Sequence, residues 1–151
     1  MSKEFQLSVN ARALIRAFES APIQTRNMVR TQLKIAVEQI RDYASDHHRY
    51  TTRTGNLERN GVSTSVTDNV GKLWVDTEKV SYAGYIHEGH GKITIAPRNT
   101  ESLKWGQRPS NNTIFVSAWK PDPFLYNAVD SEREDIQKNF AVALQNLLEG
   151  L

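Results

Sequence analysis

Thr52-Arg53-Thr54-Gly55-Asn56-Leu57 is the stretch at which the pattern of the chain changes from helix to strand. Glycine adopts positive φ angles without steric cost, and asparagine visits the left-handed region more readily than most residues. We therefore expect a corner at which a long helix is followed by a sheet. Gly55 would make the turn and Leu57, the first apolar residue after it, would anchor the returning chain. A simpler interpretation is a helix end followed by any loop, since helices commonly stop at glycine.

The residues before this corner predict two helices and one strand. Alternation over 4–9 is typical of a short half-buried strand, and 11–20 predicts a first helix that ends at Ala21-Pro22. A longer helix is predicted over about 24–49, because its apolar residues recur every three or four positions. That apolar stripe consists of Val29, Leu33, Val37, Ile40 and Ala44.

The residues after the corner change to a period of two. Two alternating runs, 62–67 and 72–76, flank a turn at 68–71 and predict a β-hairpin. Residues 81–89 predict a short helical turn, and further strands are expected at 93–96 and 113–119. Between them, 97–112 predicts a long loop with little structure of its own, which is often functional.

The last segment predicts a closing helix over about 123–149. Asp122 is a suitable cap for it and Pro123 suits its first position. Its apolar stripe contains Leu125, Val129, Ile136, Phe140, Ala143, Leu144 and Leu147.

The order of these elements predicts a single α+β domain over 1–151. We expect an antiparallel β-sheet of about four to five strands in the sheet region at about 61–119. The sheet would pack against the long helix and the C-terminal helix.

Composition and charge narrow the range of possible functions. The chain of 151 residues has no cysteine, which excludes disulfide and thiolate chemistry. No apolar run approaches the ~20 residues that cross a membrane, and Met1 to Phe5 lack a signal-peptide pattern, so we expect a cytoplasmic place of synthesis. The net charge of +2 is unevenly spread, with +4 over 1–60 and −4 over 121–151. These opposite charges can pair inside one fold, which we favour, or between neighbours in an assembly.

Reactive residues form no convincing catalytic pattern. His87-Glu88-Gly89-His90 is the one cluster that resembles metal ligands, but zincins place their histidines at i and i+4. There is no Gly-x-Ser-x-Gly and no phosphate-binding glycine loop. A weak case for nucleic-acid binding rests on basic residues interleaved with aromatic ones. They are Arg49, Arg53, Arg59, Arg98, Lys104 and Arg108, with Tyr50 and Trp105. We predict no catalytic residues, no metal, no cofactor and no specific nucleic-acid partner.

Four segments in order resemble a known family. They are 53–57 after a long helix, Tyr82 to Gly89, 93–99 with Leu103-Lys104-Trp105, and Lys120 to Leu125 followed by Ala128. Together they resemble the head–tail joining, or tail-completion, proteins of long-tailed bacteriophages, over roughly residues 25–150.

The resemblance implies a structural virion protein, not an enzyme, that assembles as a ring in the neck. A hexamer or similar ring would join the head connector or adaptor to the tail tube or tail terminator, without contact to a membrane. The alternatives are a tail terminator, a minor capsid component or, from another class, a metal-dependent hydrolase that uses His87 and His90.

Two sets of residues follow from this interpretation. The predicted assembly interface contains Arg53, Arg98, Lys104, Trp105 and Arg108. The predicted turn and packing residues are Gly55, Leu57, Tyr82, Tyr85, Pro123 and Phe124.

Overall fold

A computed structural model describes residues 5–8, 12–95, 103–105, 108–110 and 114–150 of the protein, as a mixture of helices and antiparallel strands. In chain order the elements are β1 (Phe5–Ser8), α1 (Arg12–Ser20), α2 (Pro22–Asp46), α3 (Asn56–Asn60), β2 (Val62–Val66), β3 (Val70–Val75), α4 (Ala83–Glu88), β4 (Ile93–Ile95), β5 (Leu103–Trp105), β6 (Arg108–Ser110), β7 (Ile114–Val116) and α5 (Phe124–Glu149). The predicted α+β class is therefore confirmed.

Helix α2 forms the centre of the core. Every residue of its predicted apolar stripe is buried, from Val29 at 0% exposure to Ala44 at 1%. The helix begins at Pro22, two residues earlier than predicted, and ends at Asp46, three residues earlier. Proline is tolerated at a first helical turn because the N–H it lacks would have no helical partner there.

Helix α5 packs antiparallel along α2. The Gln39 amide donates a hydrogen bond to the Glu132 carboxylate near one end of the pair. Towards the other end, Phe140 and Leu144 pack against the cluster formed by Val29 and Leu33. The first half of α5 is the more buried half, because Leu125 and Val129 lie in the main core cluster.

The largest sheet has three strands in the order β1-β3-β2, all antiparallel. Leu73 in the central strand pairs with Thr64 on one side and Phe5 on the other. Helix α2 lies so close to this strand that a Cβ atom on Gly71 would stand 2.9 Å from the Val37 Cγ1 atom. Glycine at this position therefore permits the close packing of helix on sheet.

The prediction of one sheet with four to five strands is wrong for the described residues. β4 pairs with β7, and β5 pairs with β6, so the remaining strands form two separate two-stranded ribbons. The expected loop at 97–112 also contains β5 and β6. Alternation marks a strand but does not specify its partner, because pairing depends on residues far apart in the chain.

Candidate functional site

The corner predicted at Gly55 is present, and it forms one wall of a groove. Gly55 has a φ angle of 67°, which only glycine adopts readily, and helix α3 starts immediately after it. Leu57 is 5% exposed and belongs to the main core cluster, as predicted. The Arg59 guanidinium donates a hydrogen bond of 3.0 Å to the Thr54 carbonyl and so closes the turn from outside.

Asp122 fastens the chain between α2 and the corner to the start of α5. Its Oδ2 atom accepts hydrogen bonds from the backbone N–H groups of Arg49 at 2.5 Å and Tyr50 at 2.9 Å. The Arg49 Nε atom lies 3.6 Å from Oδ1. The Asp122 N–H also donates to the Ile86 carbonyl at 3.0 Å, which links α4 to the same point.

The predicted role of Asp122 as the cap of its own helix is therefore wrong. Pro123 occupies the N-cap position of α5, one residue before the place expected for it, and no side chain caps the helix there. The carboxylate instead serves a segment more than 70 residues earlier in the chain. Sequence reasoning could note Asp122 as a capping residue, but it could not identify the N–H groups that it serves.

Tyr50 lies beside this link and packs against two aromatic rings. Its ring is stacked on His48 at 3.6 Å between centroids and meets Phe124 edge-on at 5.6 Å. Burial, helped by the negative charges of Glu58 and Asp122, raises the pKa of the Tyr50 phenol above its ordinary value. The phenol therefore stays neutral and serves as a packing group.

A groove of about 510 Å³ lies between the corner and helix α4. Residues 50–58 form one side, and Tyr82, Ile86 and Trp119 form the other. Tyr82 and Trp119 are 45% and 47% exposed, so the groove offers two aromatic surfaces to solvent. We call this feature the corner groove.

A second recess of about 290 Å³ adjoins the corner groove. It shares Tyr50 and Trp119 with the groove and is also lined by Arg49 and Lys120. Trp119 lines both the groove and the recess, and its backbone is fixed by two hydrogen bonds to His90. The His90 N–H donates to the Trp119 carbonyl at 3.1 Å, and the Trp119 N–H donates to the His90 carbonyl at 2.9 Å.

The two histidines suggested as metal ligands, His87 and His90, have different surroundings. His87 is 2% exposed and packs edge-on against Phe124 and Tyr126, at 5.0 Å and 4.5 Å between ring centroids. Burial lowers the pKa of His87 below 6.5, although hydrogen bonding to Glu88 opposes this shift.

Gly89 follows with a φ angle of 73° and ends α4 before His90. The His90 Nδ1 atom then lies 2.7 Å from the Gly91 carbonyl. The described part of the chain contains no group of three or more His, Asp or Glu residues arranged to hold a metal ion. His87 therefore lies within an aromatic cluster, whereas His90 lies beside the Gly91 carbonyl.

A second polar cluster, which the sequence analysis missed, lies after β3. The Asp76 carboxylate accepts hydrogen bonds from the Ser63 hydroxyl and the Lys79 backbone N–H, and the Lys79 ammonium donates to the Ser63 Oγ atom at 2.7 Å. These bonds, led by the one from Ser63, lower the pKa of Asp76. Because Ser63 is buried and Lys79 is paired with the carboxylate, the cluster secures a turn and offers no activated hydroxyl.

The predicted interface residues lie on different parts of the chain. Arg53 is exposed on the wall of the corner groove. Lys104 and Trp105 belong to β5, where the backbone of Trp105 pairs with that of Arg108 in β6. Arg98 lies outside the described residues.

The predicted packing residues divide into correct and incorrect ones. Phe124 is 2% exposed and packs in the core with Leu57, as expected. Tyr82 and Tyr85 are 45% and 58% exposed, so the packing role predicted for them is wrong. Ile86, for which packing was also expected, is half-buried and contacts the core.

Opposite charges from the two ends of the sequence meet at one ion pair within the described part of the fold. Among the described residues, Arg49–Asp122 is the one ion pair between a base of 1–60 and an acid of 121–151. The acidic residues Asp130 and Asp135 pair with bases of α5 itself. The expectation that the two charge excesses pair inside the fold is met at this single contact.

No described helix is both long and apolar enough to span a membrane. Comparison of the chain with protein-family models, curated protein sequences and solved structures finds no match.

Proposed function

We propose that the protein is a structural subunit of a tailed-phage virion, of the neck or tail-completion type, that works by binding other proteins. One observation carries the proposal. Of the four segments that resemble the tail-completion family, the corner and α4 line the corner groove. Within the segment from Lys120 to Leu125, Asp122 bonds to Tyr50, which lines the groove, and to Ile86 of α4.

The chemistry of this groove suits a protein partner. Tyrosine, tryptophan and arginine are enriched in protein–protein interfaces, where they supply large contact areas. Tyr82 and Trp119 are exposed on the groove, and Arg53 stands on its wall. Exposed aromatic residues grouped in this way mark a surface that another molecule covers.

In this proposal the subunits form a ring, of about six copies or a similar number, between the head connector and the tail tube. Arg53 and the ribbon of β5 and β6 would contribute contacts to neighbouring proteins. The protein would reside in the neck of the virion after assembly in the host cytoplasm, and binding would be its whole activity.

The test is a joining assay. Particles produced without this protein should accumulate as full heads and separate tails, and addition of the purified protein should join them. Immunogold labelling of joined particles should mark the neck. Labelling on the capsid shell would instead indicate a minor capsid component, and efficient joining without the protein would refute the proposal.

A further inference from the structure

We infer that the corner groove binds an acidic face of helices α2 and α5 from a second copy of this chain. The inference rests on the proposed ring and identifies the two surfaces that meet in it. The acidic helix face consists of Glu38, Asp42 and Asp46 from α2 and Glu132 from α5, around Ile35 and Tyr43.

Two exposed cations flank the corner groove: Arg53 lines the groove itself, and Lys120 lines the adjoining recess. Arg53 and Lys120 are exposed, and neither has a hydrogen-bond or ion-pair partner through its side chain in the described part of the chain. The two carboxylates near these cations already have partners in the same chain. Glu58 accepts from the Thr52 hydroxyl, and Asp122 is buried against Arg49. The groove therefore presents aromatic walls and outward-facing cations.

The acidic helix face has the complementary character. It surrounds a shallow depression of about 650 Å³ between α2 and α5, lined by four carboxylates, Lys34 and His47. Two of the carboxylates, Glu38 and Asp42, already pair with Arg41 of α2. Asp46 and Glu132 have no ion-pair partner among the described residues. Ile35 is 46% exposed at this depression, and Tyr43 is half-buried. The exposed Ile35 and the unpaired Asp46 of this face therefore suit the aromatic walls and the unpaired Arg53 of the corner groove.

Two of these acids lie where a carboxylate lowers the stability of its own helix, so a role in binding explains their position better than a role in folding. The C-terminus of a helix carries partial negative charge, so carboxylates there are unfavourable by a few tenths of a kcal/mol or more. Asp42 and Asp46 occupy the C-terminal end of α2, whose last turn contains no basic residue. Asp46 has no side-chain partner among the described residues. A cation on a neighbouring subunit would offset this cost.

Two different surfaces that complement each other produce a head-to-tail contact. Such contacts close into a ring when the rotation between successive subunits allows it. Each subunit would then use its groove toward one neighbour and its acidic helix face toward the other.

Charge reversal tests the contact in the intact protein. Arg53→Glu and Asp46→Lys should each weaken self-association roughly tenfold or more, measured by sedimentation velocity at low salt, because each places like charges opposite one another. Mixing the two variants should restore association, since each variant then offers a surface that suits the other. Asp46→Lys places a cation near the C-terminal end of α2, where it complements the helix dipole, and its circular dichroism spectrum should match that of the unchanged protein. Arg30→Glu, an exposed reversal elsewhere on α2, is the matched control and should leave association unchanged.

Disulfide cross-linking tests the same contact when the subunits associate too weakly for sedimentation velocity to detect. The chain contains no cysteine, so Arg53→Cys and Asp46→Cys introduce the only thiols. A mixture of these two variants should form mixed disulfides severalfold faster than a mixture of Arg53→Cys with Arg30→Cys. Equal rates, together with no effect of the charge reversals, would overturn the inference. If that result accompanied normal joining of heads to tails, the neck function would stand with a different interface. Specific cross-linking into closed dimers would instead support the contact and contradict the ring.

Discussion

Replacement of Asp122 by alanine tests whether one carboxylate holds the corner groove together. The substitution removes the acceptor for two backbone N–H groups, those of Arg49 and Tyr50, and a contact with the Arg49 guanidinium. Hydrogen bonds to a charged group contribute about 1.5–3 kcal/mol each. Part of the Arg49 segment is exposed, and water can replace the carboxylate there. We therefore expect the free energy of unfolding to fall by about 3 kcal/mol, near the low end of two such bonds.

Urea unfolding followed by circular dichroism measures this loss, and the melting temperature should fall by roughly 6–12 °C for a chain of this length. Asp122→Asn keeps one oxygen that can accept both N–H bonds, so it should cost about 1 kcal/mol. Asp130→Ala removes an exposed carboxylate from the same helix and should leave stability nearly unchanged. If Asp122→Ala were as stable as Asp130→Ala, the carboxylate would not be the link that the geometry indicates.

Three further substitutions test the core, the turn and a buried histidine. Leu33→Ala, at a fully buried position of α2, should cost about 2–5 kcal/mol in urea unfolding, whereas Ile23→Ala, at a site 70% exposed, should cost far less. Gly55→Ala should cost about 1 kcal/mol because of the positive φ angle, and the same change at Gly91, where an added Cβ meets nothing within 4 Å, should not. Because burial lowers the pKa of His87 in the folded state, the unfolded chain binds a proton first as the pH falls below about 6.5, and stability should decrease from there. His87→Gln should flatten this decrease between pH 6.5 and pH 5, and an unchanged slope would show that His87 does not cause it.

The corner groove shows how far sequence reasoning reached toward the site. The corner itself was predictable, because glycine at a positive φ angle and the first apolar residue after it, Leu57, are local signals. The opposite wall of the groove, formed by Tyr82, Ile86 and Trp119, was not predictable from the sequence. Tyr82, Tyr85 and Ile86 were all expected to pack before the next strand, but both tyrosines are exposed, and Ile86 alone of the three contacts the core.

Asp122 combines a local property that the sequence shows with a long-range contact that it does not show. Its chemistry as an acceptor for free N–H groups was evident, and proline after it marked the start of a helix. Which N–H groups it would meet depended on how the end of α2 approaches the start of α5. That approach follows from the packing of two helices whose sequences are far apart.

The sequence by itself determined the helices other than α3, the hairpin and the class of the fold. Periods of three to four residues and of two residues are properties of neighbouring positions, and burial of the α2 stripe follows directly from them. Only the tertiary structure decided how the strands divide into a three-stranded sheet and two ribbons, and which charges remain unpaired at the surface. Pairing partners and surface neighbours are set by contacts between distant segments, and these contacts leave no periodic trace in the chain.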